Sequence, residues 1–285
     1  MKSWFKKFLR VLPDEWYIQL QYFHHFHRFA NLKNPQTFNE KLQWLKLHDR
    51  NPLYTTLVDK YAVKKWVADK IGEQYIIPTL AVWQKAEDID FDKLPNQFVL
   101  KVNHDSGGLV ICHDKSKLDK QEAVAKLARA LKNNGYWYGR EWPYKNVKPC
   151  IIAEKYMEDN AHHLNDYKFF CFNGKAKFIL FGSNRFEKGG LKVTFYDTNW
   201  QKLPFARAYH SVDNPAEKPS QLPAMCQLAE QLARQMPFAR IDFYVIGEQI
   251  YFGEITLYPA SGMEGFNPAQ WDKKIGDLVE LPEDK

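Results

Sequence analysis

The sequence predicts an α+β protein: a helical N-terminal segment, then two strand-rich units. Three observations carry this. Apolar residues at helical spacing, with capping and breaking signals, run through residues 1–73. From Gln74 the texture changes to short runs of β-branched and aromatic residues. Two pairs of these runs read as hairpins, one around Asn173-Gly174 and one around Gly247.

The helical segment comes first. Residues 1–30 read as helical in pieces. Trp4, Phe5, Phe8, Leu9 and Leu12 form a stripe among Lys2, Lys6, Lys7 and Arg10. Such a basic amphipathic stretch either packs on the protein body or lies on an anionic membrane. His24 and His27 have helical metal-pair spacing, but no carboxylate or cysteine lies close by, so a packing helix is expected. Thr37 and Glu40 form a capping box that starts a helix reaching about residue 47. Asn51-Pro52 breaks it, and a second amphipathic helix is expected over 57–71, closed by Gly72.

Strands are expected at 75–83, 97–103, 109–113 and 150–157, with a helix at 119–132 and a crossover loop at 135–149. A two-residue turn at Asn173-Gly174 pairs 172 with 175 and sets 168 against 179. One face of that hairpin then holds Asp166, Lys168, Phe170, Lys177 and Ile179. The other, holding Tyr167, Phe169, Cys171, Ala176, Phe178 and Leu180, is expected to be core. A strand at 191–196, a helix at 220–235, a hairpin over 240–245 and 249–257, and a helix at 268–279 complete the order.

Composition narrows the function. The 285 residues carry a net charge of +6, spread without Lys/Arg runs, which argues against nucleic acid as a partner. No stretch is apolar enough to cross a membrane, and the N-terminus lacks signal-peptide character, so a cytoplasmic protein is expected. Cys112, Cys150, Cys171 and Cys226 form no Cys-x-x-Cys pair, so core thiols are expected rather than a zinc or disulfide framework.

Four pieces carry chemistry. Phe98 to Asn103 is a strand that delivers Lys101 ahead of His104-Asp105-Ser106-Gly107-Gly108; loop amides can cradle phosphate while the lysine pairs with its charge. Ile151 to Met157 is an apolar strand ending in Glu154 and a short hinge. In Arg240-Ile241-Asp242-Phe243 the first and third residues share a strand face, as do Glu254 and Thr256 in Gly253-Glu254-Ile255-Thr256. An acid from each of two paired strands can hold magnesium, and a neighbouring arginine can stabilise a transferring phosphate.

The ordered set resembles the ATP-grasp ligases over residues 75–268. The resemblance implies two α+β subdomains gripping ATP. Residues 1–73 would precede a small subdomain at 74–150, with Lys101 and the glycine loop, and a large subdomain at 151–285, with the metal hairpin. It implies ATP and Mg2+ as cofactors. ATP would be held by Lys101, Ser106, Gly107, Gly108, Glu154, Lys155, Met157, Asp166 and Lys168, and the metal by Asp242, Glu254 and Thr256. Thr256 stands where the family usually has Asn. Arg240 and Lys101 would neutralise the reacting phosphates, and Ser261, Gly262 and Arg185 would meet the substrate.

Four further stretches look like TupA-type ATP-grasp proteins: Pro35-Gln36-Thr37-Phe38-Asn39-Glu40-Lys41, Asp59-Lys60-Tyr61-Ala62-Val63, Asp166-Tyr167-Lys168-Phe169 through Asn173-Gly174, and Glu254-Ile255-Thr256. This implies a carboxylate-amine ligase of capsular or surface polysaccharide biosynthesis, working through an acyl phosphate. Its partners would be a small molecule or saccharide bearing a carboxylate, plus an amine; the basic amphipathic stripe of residues 1–12, not the resemblance, gives peripheral membrane contact as the alternative to packing. A kinase, a glycosyltransferase and a non-catalytic assembly protein of the same pathway remain alternatives. His104, His113, His162, His163 and His210 are candidates for proton transfer.

One geometric expectation is sharp. With a two-residue turn and regular pairing, Glu254 would oppose Ile241. For Asp242 and Glu254 to share a cation, the second hairpin needs an odd loop or a bulge.

Overall fold

The computed structural model describes residues 10–105, 107–158, 165–183, 192–207 and 216–283. The N-terminal part is helical: α1 (Asp14–Phe26), α2 (Phe38–His48), α3 (Leu53–Val58) and α4 (Ala62–Ile71). The capping box at α2 forms as expected, with the Thr37 hydroxyl accepting from the Glu40 amide and the Glu40 carboxylate accepting from the Thr37 amide. The helix expected at 57–71 is two helices instead. They are broken at Asp59, whose carboxylate accepts from the Tyr61 and Ala62 amides and so diverts the backbone into a turn.

A four-stranded antiparallel sheet follows, in the order β1-β4-β2-β3, from β1 (Thr79–Trp83), β2 (Phe98–Val102), β3 (Leu109–Cys112) and β4 (Ile151–Lys155). Helix α5 (Lys120–Leu131), N-capped by Asp119, packs Ala123, Leu127 and Ala130 onto it. The expected boundary at 150/151 would cut β4 from the sheet it completes, since β4 pairs with both β1 and β2. The expected loop at 135–149 holds a single helical turn, α6 (Tyr136–Gly139), and a 3₁₀ turn at Trp142–Asn146.

The second sheet has five antiparallel strands, ordered β7-β6-β5-β8-β9. They are β5 (Asn165–Phe172), β6 (Lys175–Ser183), β7 (Lys192–Asp197), β8 (Phe238–Ile246) and β9 (Gln249–Thr256), with α7 (Leu222–Leu232) and α8 (Gln270–Gly276) around them. The Asn173-Gly174 turn forms, with both residues at positive φ as a tight hairpin requires. The pairing beyond it differs from expectation: a bulge at Lys177 sets Phe170 against Phe178 and Lys168 against Leu180. The supposed polar face is therefore half core. Phe170 and Phe172 are buried, and Phe38 of α2 packs its ring on Phe172 and Phe238. Charge occupies only the other end of that face.

Candidate active site

The β8–β9 hairpin has a two-residue turn at Gly247-Glu248, since Ile246 pairs with Gln249. It also has a bulge: Phe243 pairs with Phe252 and Asp242 with Glu254, leaving Gly253 as the extra residue. The expected parity device is present. Arg240 opposes Thr256, so Arg240, Asp242, Glu254 and Thr256 share one face. The neighbouring strand adds Lys168 directly beside Asp242.

These side chains form a continuous ionic row. Arg240 Nε donates to Asp242 Oδ1 at 2.7 Å, and Nη2 donates to Asp242 Oδ2 at 2.7 Å and to Glu254 Oε1 at 2.8 Å. Lys168 Nζ donates to Asp242 Oδ2 at 2.6 Å and pairs with Asp166. Thr256 Oγ1 donates to Glu254 Oε1 at 3.2 Å. Burial pushes the Asp242 carboxyl up, against the pull of Arg240 and Lys168. Burial would raise Glu254 as well, but Arg240, then Lys60, Lys168 and Lys101, hold it at about 2.

Lys60, just before α4, and Lys101, on β2, both lie within electrostatic reach of Glu254. On the small-sheet side, Glu154 lies between two ammonium groups, with Lys101 Nζ at 2.7 Å from Oε2 and Lys64 Nζ on Oε1. Burial opposes its ionisation, yet Lys101 and Lys64 hold its carboxyl below the ordinary value. Lys60 donates from its backbone to Asn103 O and from Nζ to Asp105 O, clamping the start of the glycine loop. Gly108 has no room for a side chain, since a Cβ would sit 2.6 Å from Ala130 Cβ and 2.7 Å from Val102 Cγ2.

Sequence reasoning missed Lys60, Lys64 and Tyr144. Burial raises the Tyr144 phenol, and Glu141, Glu254 and Arg240 lie within its electrostatic reach. Lys60 stood in a quoted motif but carried no role there. His104 is no free base: Nδ1 contacts Asn103 Oδ1 at 3.1 Å and Nε2 contacts Asn133 O at 2.8 Å, so it fastens the loop. The His113 ring packs edge-on against Tyr156. Ser261 and Gly262 belong to a left-handed turn, with φ 49°, 55° and 63° at Ala260, Ser261 and Gly262. Gln43 Nε2 donates to both Ser261 O and Gly262 O, and the buried Lys46 Nζ donates to Ser261 O, Ser261 Oγ and Gly139 O. Burial draws the Lys46 ammonium down to about 8, with Glu141 opposing. Ser106, Arg185, His162, His163, His210 and residues 1–9 lie outside the described residues.

Magnesium, which the fold family implies, suits the donor set. One guanidinium nitrogen already lies within 2.8 Å of both the Asp242 and Glu254 carboxylates, so a cation can be shared there. Among the described residues no three His, Cys, Asp or Glu side chains converge. Asp242 and Glu254 would then be the two carboxylates supplied to the ion, and magnesium is commonly held through only one or two.

The protein carries two antiparallel sheets, with Glu154 between Lys64 and Lys101 on the first and Asp242 and Glu254 held by Arg240 and Lys168 on the second. A family model described as TupA-like ATPgrasp matches residues 40–280, and the chain belongs to that family. No curated protein matches it. Among solved structures it is similar to the D-alanine–D-alanine ligase from Bacillus anthracis complexed with ATP, at 22% identity, covering 71% of this chain and 54% of that one, with a TM-score of 0.40. The Helicobacter pylori D-alanine–D-alanine ligase matches at 16% over 85% and 69%, TM-score 0.42. The N5-carboxyaminoimidazole ribonucleotide synthetase from Thermus thermophilus matches at 12% over 76% and 47%, TM-score 0.39. The chain spans about half the length of the first and third of these.

Proposed function

We propose that this protein is a cytoplasmic ATP-dependent carboxylate-amine ligase of bacterial capsular or surface polysaccharide assembly. The observation that supports it most is the cluster of cations at two carboxylates: Arg240 and Lys168 bond Asp242, Arg240 also bonds Glu254, and Lys60 and Lys101 lie within electrostatic reach of Glu254. A triphosphate brings negative charge to such a place, and preorganised cations there cost no reorganisation during reaction.

In this reading Lys60 and Lys101 hold the phosphates beneath the Ser106-Gly107-Gly108 loop, and the Glu154–Met157 hinge, including Lys155, takes the adenine. Glu154 has lone pairs beyond those its two lysines use, and one can accept from an adenine amino group. Asp166 and Lys168 brace the phosphate end. Asp242, Glu254 and Thr256 would hold magnesium, which would supply positive charge against the triphosphate. A substrate carboxylate oxygen attacks the γ-phosphorus as the bond to ADP breaks, giving an acyl phosphate. An amine then attacks the acyl carbon, the amide bond forms, phosphate departs with the bonding pair and the amine gives up a proton. Arg240 stabilises the charge on the moving phosphoryl group. No protein nucleophile is needed, only positioning. The turn at Ser261-Gly262 would meet the acceptor, a saccharide or small molecule.

The test is incubation with ATP, magnesium, hydroxylamine and a panel of uronic and amino acids. Formation of a hydroxamate with release of ADP is the expected result. Phosphate transferred to a hydroxyl without hydroxamate makes the protein a kinase and overturns the ligase reading.

A further inference from the structure

The turn that follows β9 is held in a shape its residues do not favour. Ala260 and Ser261 are consecutive non-glycine residues in left-handed backbone, with φ of 49° and 55°, and Gly262 follows at 63°. Such backbone crowds a side chain against the chain itself and persists only where the surroundings impose it. The turn's own backbone bonds run from the Ser261 amide to Tyr258 O at 2.8 Å and from the Met263 amide to Ala260 O at 3.0 Å.

A buried cation and a glycine impose the shape. Lys46 of α2 is fully buried, and its Nζ donates to Ser261 O at 2.7 Å, Ser261 Oγ at 2.8 Å, Gly139 O at 2.8 Å and Gln43 Oε1 at 2.9 Å. Three protons thus serve four oxygens, two of them on the middle residue of the turn. The Tyr258 ring lies 5.8 Å from the same ammonium, and Glu141 supplies the opposite charge while accepting a hydrogen bond from the Ser261 side chain. Gly139 closes the seat, since a Cβ there would stand 1.8 Å from Ser261 Oγ and 2.9 Å from Ser261 Cβ. Burying an ammonium is costly, and here it lies beneath a half-exposed serine rather than among other charges of the core. What it fixes is the shape that the turn presents outward.

We infer that Lys46, with Gly139 seating Ser261 beside it, positions the 260–262 turn to grip the substrate. The inference rests on the proposed meeting of that turn with the acceptor. Lys46 is then a positioning residue, acting through Ser261 and Gly262 without touching substrate. Losing its ammonium loosens the turn and weakens substrate binding, while Mg·ATP binding, carried by other residues, is kept.

Lys46→Met preserves the length of the side chain and removes its charge and donors. Amide hydrogen exchange at pH 7, read by mass spectrometry, should quicken by about tenfold or more in the peptide over 258–263, because charge-assisted bonds are lost there, with β2–β3 and β5–β6 unchanged. In the hydroxamate assay the KM for the carboxylic acid should rise by a similar factor with kcat little changed, and calorimetry should find Mg·ATP affinity unaltered. Gly139→Ala pushes Ser261 from the opposite side, and alanine suits the helical backbone at 139, so it carries the test if Lys46→Met melts early. It should quicken exchange in the same peptide, and Gly139→Ala/Ser261→Gly, which removes the clash and accepts the positive φ, should restore protection. Unchanged exchange over 258–263 in both single variants overturns the inference. So does faster exchange throughout the chain, an unchanged KM despite a loosened turn, or an equal loss of Mg·ATP affinity. If the native protein makes no hydroxamate, the ligase reading alone fails, and the exchange comparison decides whether Lys46 sets the turn.

Discussion

Lys101 and Glu154 meet at 2.7 Å, but Lys64 holds the second carboxylate oxygen of the same glutamate. Removing Lys101 therefore leaves Glu154 neutralised. Lys101→Ala should cost less stability than removing the glutamate, because Lys64 still pairs with the buried Glu154 carboxylate. Mg·ATP affinity should fall by about tenfold or more, since charge-assisted contacts to phosphate are worth about 1.5–3 kcal/mol each. Titration calorimetry on the two proteins checks this, and equal affinities would sink the phosphate role. Lys101 was legible because it ends an apolar strand ahead of Gly107-Gly108. Lys60 and Lys64 were not. A lysine at the start of an amphipathic helix has the same local pattern as one on a solvated face, and only the fold turns these two toward Glu254 and Glu154. Lys46 was hidden likewise, as nothing local distinguishes a lysine that will be fully enclosed by Gln43, Gly139 and Ser261.

The two hairpins differ in how far sequence could carry them. In β8–β9 the polar residues at 240, 242, 254 and 256 must meet, and with a two-residue turn they meet only if one residue is left over; Gly253 is that residue. In β5–β6 either register buries aromatic or aliphatic side chains, so apolar patterning could not reveal the bulge at Lys177. Gly253 also sits tightly, since a Cβ there would lie 3.0 Å from Tyr244 Cε2 and 3.1 Å from Asp242 O. Gly247 has open space around it but a φ of 61°. Gly253→Val and Gly247→Ala should each destabilise by about 1–3 kcal/mol, the first by crowding and the second by forcing a side chain into left-handed backbone. Only Gly253→Val should also weaken Mg·ATP binding, because it shifts Glu254 against Asp242. Urea unfolding beside calorimetry separates the two. Equal loss of nucleotide affinity in both variants would argue that the bulge does not set the site.

At the scale of the whole molecule, sequence texture separated helices from strands but could not order the sheets. β4 follows a long crossover and returns to lie between β1 and β2, a pairing that local patterns do not encode. That return brings Glu154 under Lys64 of α4 and beside Lys101 of β2, so one carboxylate ties the helical layer to the small sheet. Its titration reports on that union. The folded carboxyl is held below its ordinary value of 4.5 by Lys101 and Lys64, despite burial. Between the folded and unfolded values the unfolded chain binds a proton that the folded chain refuses. Stability from Glu154 is therefore fully present above about pH 5 and is lost as pH falls through the folded value. Glu154→Gln keeps the shape and removes the charge, leaving two ammonium groups without their partner. At pH 7 it should destabilise by about 3 kcal/mol, the usual cost of breaking a buried pair from one side. As pH falls below the ordinary carboxyl value the unfolded chain takes up the proton that folding displaces, so the gap between the two unfolding curves should narrow. Other acids in the protein, such as Asp242 and Asp272, shift upward on burial and bend the native curve the opposite way, but they are common to both proteins and cancel in the difference. Urea midpoints of the pair from pH 3 to pH 8 measure that difference directly. A gap that stays constant down to pH 3 would mean that Glu154 contributes through packing rather than charge, and that the lysines flanking it do not join the helices to the sheet.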